Sequence, residues 1–468
     1  MFRSGFILTM RDNMTRREFA AALILAPMSS TVLRGQQIVA GTNRGMNAVK
    51  LAVPEFRPSR PEPKINHLAD VFNETLWNDL DFSGSIALAS RSFYPVGNFV
   101  NPSDIHPDDW TRANVEAQYI TFGSAEIGTE GRFRGQFTVD LHFNDLKLNQ
   151  AVFTPARWGG GFDTDEAARF LAHNWANTIL ETLGLGKGVA MTKIAYVADR
   201  GNDKEIYEMD YDGYGARPLT ALGSLALTPA YSPDATRIAF NGYRNDVSNI
   251  EVVSRADGKS VPFPSPGGTI NTTPAWSPDG MKIAFASTRD KRGTSDGSEI
   301  YIADSSGRNV TRPMPRPAGT TGVDIAPVWN PATGREIAFV STRNGPQQIY
   351  RANEDGTNIR RLINDGGEAA NPSWSPDGTF LAFAWKKPGN SRFEIFLHDL
   401  VTGNNTQLTQ SSGDSEKPTW SPDGKHIAFE SDRTGKLQIY SMLADGSKVR
   451  QLTRSGINKA PAWSGYIK

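Results

Sequence analysis

The 468-residue chain contains no cysteine. That excludes disulfides, thiolate metal sites and a cysteine nucleophile, but leaves the compartment open, because many exported proteins also lack cysteine. No charge of either sign is in excess: 50 Lys and Arg stand against 50 Asp and Glu. Nothing in that balance supplies the basic face that nucleic acid demands, so no nucleic-acid partner is expected. No run of 18 apolar residues occurs, which argues against a conventional membrane span. The sequence also lacks a G-x-S-x-G elbow, an H-E-x-x-H helix and a G-x-x-x-x-G-K-[ST] loop. Its six histidines, at 67, 106, 142, 173, 398 and 426, show no ligand spacing, and His173 reads as an ordinary helix-face residue. Asp210-Tyr-Asp-Gly213 begins like a calcium loop but has no bidentate glutamate where one is required, so it reads as a hairpin turn. No catalytic residue, metal site or cofactor is expected.

Turn formers, by contrast, are plentiful, with 44 Gly and 29 Pro, which favours many short strands. The phrase NPSWSPDGTFLAF, Asn371 to Phe383, has close copies from Thr273 to Phe285 and from Lys417 to Phe429. Its first half, Pro-x-aromatic, occurs six times, ending at Tyr231, Trp276, Trp329, Trp374, Trp420 and Trp463. Its second half also occurs six times, starting at Ile194, Ile238, Ile283, Ile337, Leu381 and Ile427. A further apolar pair follows each second half (Ile349-Tyr350 for example), and a Leu-Thr ending closes several units, as at Leu408-Thr409. Four short apolar segments in a period of about 45 residues are the pattern of a β-propeller blade.

The array starts with an unpaired second half at Lys193 and ends with an unpaired first half at Trp463. Pairing the two closes a ring of six blades and removes free sheet edges. In Ser375-Pro-Asp-Gly378 the proline presets φ and the glycine takes positive φ, as a type I turn with a bulge requires. Asp279, Asp377 and Asp423 are therefore turn formers rather than acids. Two irregularities stand out. Ala235 replaces the turn glycine in one unit, and the long step from Trp276 to Trp329 implies an insertion at 290–298, at 312–322, or at both.

Residues 37–190 form a different unit. Ile65, Leu68, Phe72, Leu76 and Leu80 predict an amphipathic helix over 65–80. Asp163 with Glu166 predicts the start of a second helix, whose face would carry Ala167, Phe170, Leu171, Asn174, Thr178 and Leu183, with Gly184 at its end. Phe137, Val139, Leu141 and Phe143 alternate as a strand, expected in one sheet with Tyr119–Phe122 and Arg132–Arg134. The stretch from Gln37 to Lys50 reads as an extended, loosely anchored arm. Residues 1–36 carry Arg16-Arg17-Glu-Phe19 ahead of a short apolar run, the layout of a twin-arginine-like export signal, which places the protein in the periplasm. The fold expected is mainly β: a six-bladed propeller over 191–468, preceded by an N-terminal α/β domain.

A small α/β domain followed by six such blades resembles the TolB family. Trp77-Asn-Asp-Leu80, Phe143-Asn-Asp-Leu146, Ala172-His-Asn174 and Thr192-Lys-Ile-Ala-Tyr-Val197 extend the resemblance through the leading domain. It implies a non-enzymatic, monomeric scaffold of the Tol–Pal system, peripheral to the membrane at most, supporting envelope integrity and cell division. The resemblance implies two partners. A Pal-like outer-membrane lipoprotein would meet the propeller, and a TolA-like inner-membrane protein would meet the arm.

Propellers act through the loops around their channel. The residues entering each aromatic strand are the expected partner-binding set: Asn271, Thr272, Thr273, Asp324, Glu368, Asn371, Glu416, Lys417, Asn458 and Lys459. Two other readings remain open: a periplasmic propeller that binds a sugar or peptide, and a hydrolytic propeller protein.

Overall fold

The computed structural model describes residues 48–467, apart from 202, 245–246, 265, 290–296 and 317–320. The export signal, nearly all of the arm and much of the expected insertion lie outside the described residues.

The first unit is a mixed sheet with two long helices on one face. Strand β1 (Val49–Ala52) lies between β2 (Ile86–Leu88) and β3 (Tyr119–Ile127), and pairs in parallel with both. Val49 and Lys50 are thus ladder residues inside the sheet, which corrects the expectation that the arm runs to Lys50. β3 pairs antiparallel with β4 (Phe137–Asp145), and β5 (Ala156–Gly159) pairs with the outer edge of β4.

Helix α1 (Pro63–Phe82) and helix α2 (Asp165–Thr182) pack on this sheet. Leu68, Phe72, Leu76 and Leu80 of α1 meet Leu171, Trp175 and Ile179 of α2 over Val139, Leu141 and Phe143. The start of α2 differs from the expectation. Thr164, not Asp163, caps it, accepting from the Ala167 amide, because Asp163 is engaged by Lys64. The buried face is also rotated. Ala168, Ala172, Trp175 and Ile179 face the core, whereas Phe170 is 46% exposed. Arg132 and Phe133 lie in a single 3-10 turn and Arg134 follows it, so this segment is outside the sheet.

The second unit is a ring of six sheets. Its innermost strands are Ala226–Tyr231, Asn271–Trp276, Asp324–Trp329, Glu368–Trp374, Ser415–Trp420 and Ile457–Trp463, each touching the next around the ring. Closure follows the unpaired halves: Ile457–Trp463 pairs with Lys193–Asp199, setting Trp463 opposite Ile194.

Each Trp-Ser-Pro-Asp-Gly turn is built alike. The Gly378 amide bonds to the Ser375 carbonyl at φ +70°, and Asp377 accepts from the Ser375 hydroxyl and the Thr379 amide. Tryptophans stitch the blades together. The indole N–H groups of Trp276, Trp329, Trp374 and Trp420 donate to backbone carbonyls of Ala230, Ala275, Val328 and Ser373 in the preceding inner strand. The Leu-Thr endings have a role too. The hydroxyls of Thr220, Thr409 and Thr453 accept from the amides of Ile206, Ile395 and Ile439, in place of a longer fourth strand.

The third sheet departs from the expected four strands. Among the described residues it has three, with a lone bridge from Ile302 to Thr311.

Candidate partner-binding site

All six innermost strands carry the same irregularity. The ladder shifts register two residues before the proline step, as between Thr272 and Ala275 or between Glu416 and Thr419. The residue ahead of each proline takes left-handed φ: Thr228, Thr273, Ala326, Asn371, Lys417 and Ala460, all at +49° to +53°. The ring of the next residue disfavours the right-handed conformation here. A non-glycine residue in the left-handed region costs on the order of 1–3 kcal/mol. Bulges of this kind re-aim side chains.

Register fixes the equivalent positions. Leu227, Thr272, Ile325, Ala370, Glu416 and Lys459 form one ring, and the six left-handed residues form the next. Most of these positions are half-buried, unlike the sealed prolines beside them. Four of the six inner strands contribute only uncharged side chains to these two rings. The charges, Glu416, Lys417 and Lys459, belong to the strands at the closure.

Glu416 faces Glu430 across the ladder. Burial, and then the negative charge of Glu430, push the Glu416 carboxyl up from 4.5 to about 7. Glu430 itself is held by the Lys417 ammonium at 3.2 Å and by the Ala460 amide. Lys459 lies 3.6 Å from Asp199. Glu368 is paired with Lys386. Thr273 accepts from the Ala326 amide of the next blade, 3.1 Å away. Asn371 has a buried side-chain oxygen without a hydrogen-bond partner.

Three expected partner-binding residues occupy another place. Asn271, Asp324 and Asn458 are at most 1% exposed. Asn271 accepts from Ser287 and donates to the Ser248 carbonyl. Asp324 is held by Arg343 at 3.1 Å, and burial raises its carboxyl despite that partner. Asn458 donates to Gln438 and to the Ser455 carbonyl. Their polar groups are spent inside the protein, so they frame the inner strands and present no surface. All ten residues also stand in or at the start of strands rather than in loops, because each inner strand begins before the bulge.

The α/β domain seats on the blades at the closure. At the centre of that junction His173 Nδ1 lies 2.7 Å from Asp79, and Tyr211 of the first blade donates to the other oxygen of Asp79. Burial depresses the His173 imidazole, but the charge and hydrogen bond of Asp79, joined by the charge of Asp212, make the net direction upward. Arg169 pairs with Asp212. Nearby, His426 Nε2 lies 2.7 Å from the Phe82 carbonyl at the end of α1, Lys425 donates to Ser85 and to the Leu185 carbonyl, and Arg450 pairs with Asp81.

His173 is thus no ordinary helix-face residue, and sequence reasoning missed this cluster. The only available signal was Asp210-Tyr-Asp-Gly213, whose hairpin turn carries Tyr211 and Asp212 into the junction. His173, Asp210 and Asp212 bring ligand atoms within 4.8 Å of one another. Lys193 and Arg169 already engage the two carboxylates, so their charge is met without a metal. Among the described residues no helix is long and apolar enough to cross a membrane.

The family model described as TolB beta propeller domain matches residues 180–393 and 363–466. The chain belongs to the TolB family. It is 30% identical over 343 residues to the Tol-Pal system protein TolB of Bordetella parapertussis, covering 73% of this chain and 71% of that protein. It is 33% identical over 217 residues to a TolB homolog of Chlorobium chlorochromatii, covering 46% of each. The match therefore spans less than half the length of that relative. The crystal structure of TolB from Acinetobacter baumannii superposes with a TM-score of 0.73 at 23% identity, covering 90% of this chain and 98% of that one, and shows the same fold.

Proposed function

We propose that this chain is a non-enzymatic periplasmic scaffold of a Tol–Pal system, which holds a Pal-like outer-membrane lipoprotein at one mouth of the propeller channel. The observation that carries the reading is the distribution of charge on the inner strands. Glu416, Lys417 and Lys459 cluster at the ring closure, beside otherwise uncharged rings, and the α/β domain rests on the same two blades. Membership of the family supports it. Thr272, Thr273, Glu368 and Asn371 complete the proposed contact set. A patch of about 800 Å² per partner is the usual size for a specific complex, which the rim of a six-bladed ring can supply. The segment 37–48 engages a TolA-like inner-membrane protein, and together the contacts support envelope integrity and cell division.

A pull-down tests the reading. The purified chain should retain the Pal-like lipoprotein of its own organism, and Glu416→Ala with Lys417→Ala should weaken retention while thermal unfolding stays cooperative. Removing residues 37–48 should abolish capture of the TolA-like protein and leave the lipoprotein bound. Failure of the intact chain to retain the lipoprotein would overturn the proposal.

A further inference from the structure

The α/β domain carries a recess that the proposed reading leaves unused. It is a cavity of about 460 Å³ between helix α2 and the edge strand β5. That volume lies within the roughly 300–1,000 Å³ of ordinary ligand pockets. Leu171, Trp158, Phe133, Phe170 and Arg132 are among the residues that line it. Phe170 is 46% exposed and Phe133 is half-buried. Apolar rings gathered beside a recess mark a contact surface more often than scattered exposed residues do.

The strand beside the recess is itself unfinished. β5 pairs with β4 on one side, and among the described residues no strand pairs with its other side. Free edges are commonly blunted by a charge or a proline. The one charge on β5, Arg157, is turned onto the sheet, where Asp140 and Glu126 hold it.

Charge selects the occupant. Arg132 lies over the Phe133 ring at 4.6 Å and forms no ion pair among the described residues, and the cavity lining holds no carboxylate. The chain's own N-terminal segment is a poor match. From Phe19 to Ala48 it has no Asp or Glu, while Arg34 and Arg44 would bring like charge to the rim.

We propose that this groove binds an extended acidic peptide segment of another protein. The segment adds a strand along β5, sets an aromatic or branched aliphatic side chain between Phe133 and Phe170, and places a carboxylate on Arg132. Main-chain pairing supplies affinity in such strand addition, and alternate side chains supply specificity.

A displayed library of random nine-residue peptides, selected against the full chain, tests it. The expected outcome is enrichment of peptides with an aromatic residue flanked by Asp or Glu. A synthetic copy should lose about tenfold or more in affinity, roughly 1.4 kcal/mol, with Arg132→Glu or Phe170→Ala, both at exposed positions. The same peptide should slow amide hydrogen exchange at Arg157 and Gly159. Absence of enrichment, or binding to both variants as tight as to the natural chain, would overturn the proposal. So would tighter binding of a synthetic 37–48 peptide, which would assign the groove to the chain's own arm. A dimer that dissociates with Phe170→Ala would assign it instead to a second copy.

Discussion

The indole Nε1 of Trp463 lies 2.8 Å from the hydroxyl of Thr192, 271 positions earlier in the chain. The other inner-strand tryptophans bond to the preceding blade, whereas Trp463 bonds within the blade it completes. This contact joins the two ends of the propeller, beside the ladder pairing of Ile457–Trp463 with Lys193–Asp199. Trp463→Ala should cost about 3–5 kcal/mol, the usual range for a buried large aromatic. It should also loosen Ile457–Trp463 from Lys193–Asp199 and expose a strand edge. Urea unfolding and light scattering would read the two effects. An unchanged midpoint with no added aggregation would show that closure does not depend on this residue.

Within the ring, the indole of Trp374 donates to the Val328 carbonyl at 3.2 Å. Trp374→Phe keeps most of the apolar area and removes the donor, leaving a carbonyl between blades short of a partner. A cost of roughly 1–3 kcal/mol is expected for that loss. Trp374→Ala should add a cavity term, for a total of about 3–5 kcal/mol. Equal unfolding midpoints for the two variants would mean that the hydrogen bond, rather than packing, sets the contribution.

Ala235 occupies the turn position that glycine fills in sister blades. Its φ is +55°, and its amide bonds to the Ser232 carbonyl at 2.8 Å, matching Gly378 on Ser375. The left-handed conformation costs an ordinary L-residue roughly 1–2 kcal/mol. Glycine gives back part of that through its freer unfolded chain. Ala235→Gly should therefore stabilise the protein, by about 0.5–1 kcal/mol. A destabilised variant would mean that the methyl group, which is only 2% exposed, contributes more by packing than it costs in strain.

The propeller was legible because its repeat states each local choice six times. Turn chemistry, strand alternation and the two unpaired halves all point to one ring, and Trp463 sits opposite Ile194 as they require. What the sequence concealed has physical reasons. The face of α2 was misread because Phe170 fits the helical period as well as Trp175 does, and only the sheet beneath decides which ring is buried. Asn271 and Asn458 read as surface residues because a short polar side chain ahead of a strand gives no sign of the buried partners it will find. His173 and Asp79 lie 94 positions apart, with a third partner in the next domain. No local period reports such a meeting.

That meeting predicts a pH dependence. His173 is 4% exposed, and its imidazole is raised above 6.5 by Asp79, joined by the charge of Asp212, against the opposing effect of burial. A histidine raised on folding contributes stability that is fully present below its unfolded value and is lost as pH rises through the folded one. Stability of the junction should fall as pH climbs from about 6.5, and His173→Gln should remove that fall. Asp79→Asn leaves the buried imidazole without its carboxylate and should cost roughly 3–5 kcal/mol. The decisive readings are urea midpoints across the pH series. Parallel curves for the natural chain and His173→Gln would rule out His173 as the titrating group.

Glu416 titrates in a different window. Burial and Glu430 raise its carboxyl from 4.5 to about 7, so the folded chain binds a proton there that the unfolded chain has released. Stability therefore decreases as pH rises between those values, and the deficit persists above about 7. Glu416→Gln is neutral throughout. It should flatten the slope between pH 4.5 and about 7 and leave the protein more stable than the natural chain at alkaline pH. The same variant leaves His173 untouched, so a fall beginning near pH 6.5 should survive in it. Because Glu416 lies at the ring closure on a proposed contact surface, retention of the Pal-like lipoprotein should change over the same window, which pull-downs at pH 5.5 and 8 would read. A slope unaltered by Glu416→Gln would assign the proton to another group.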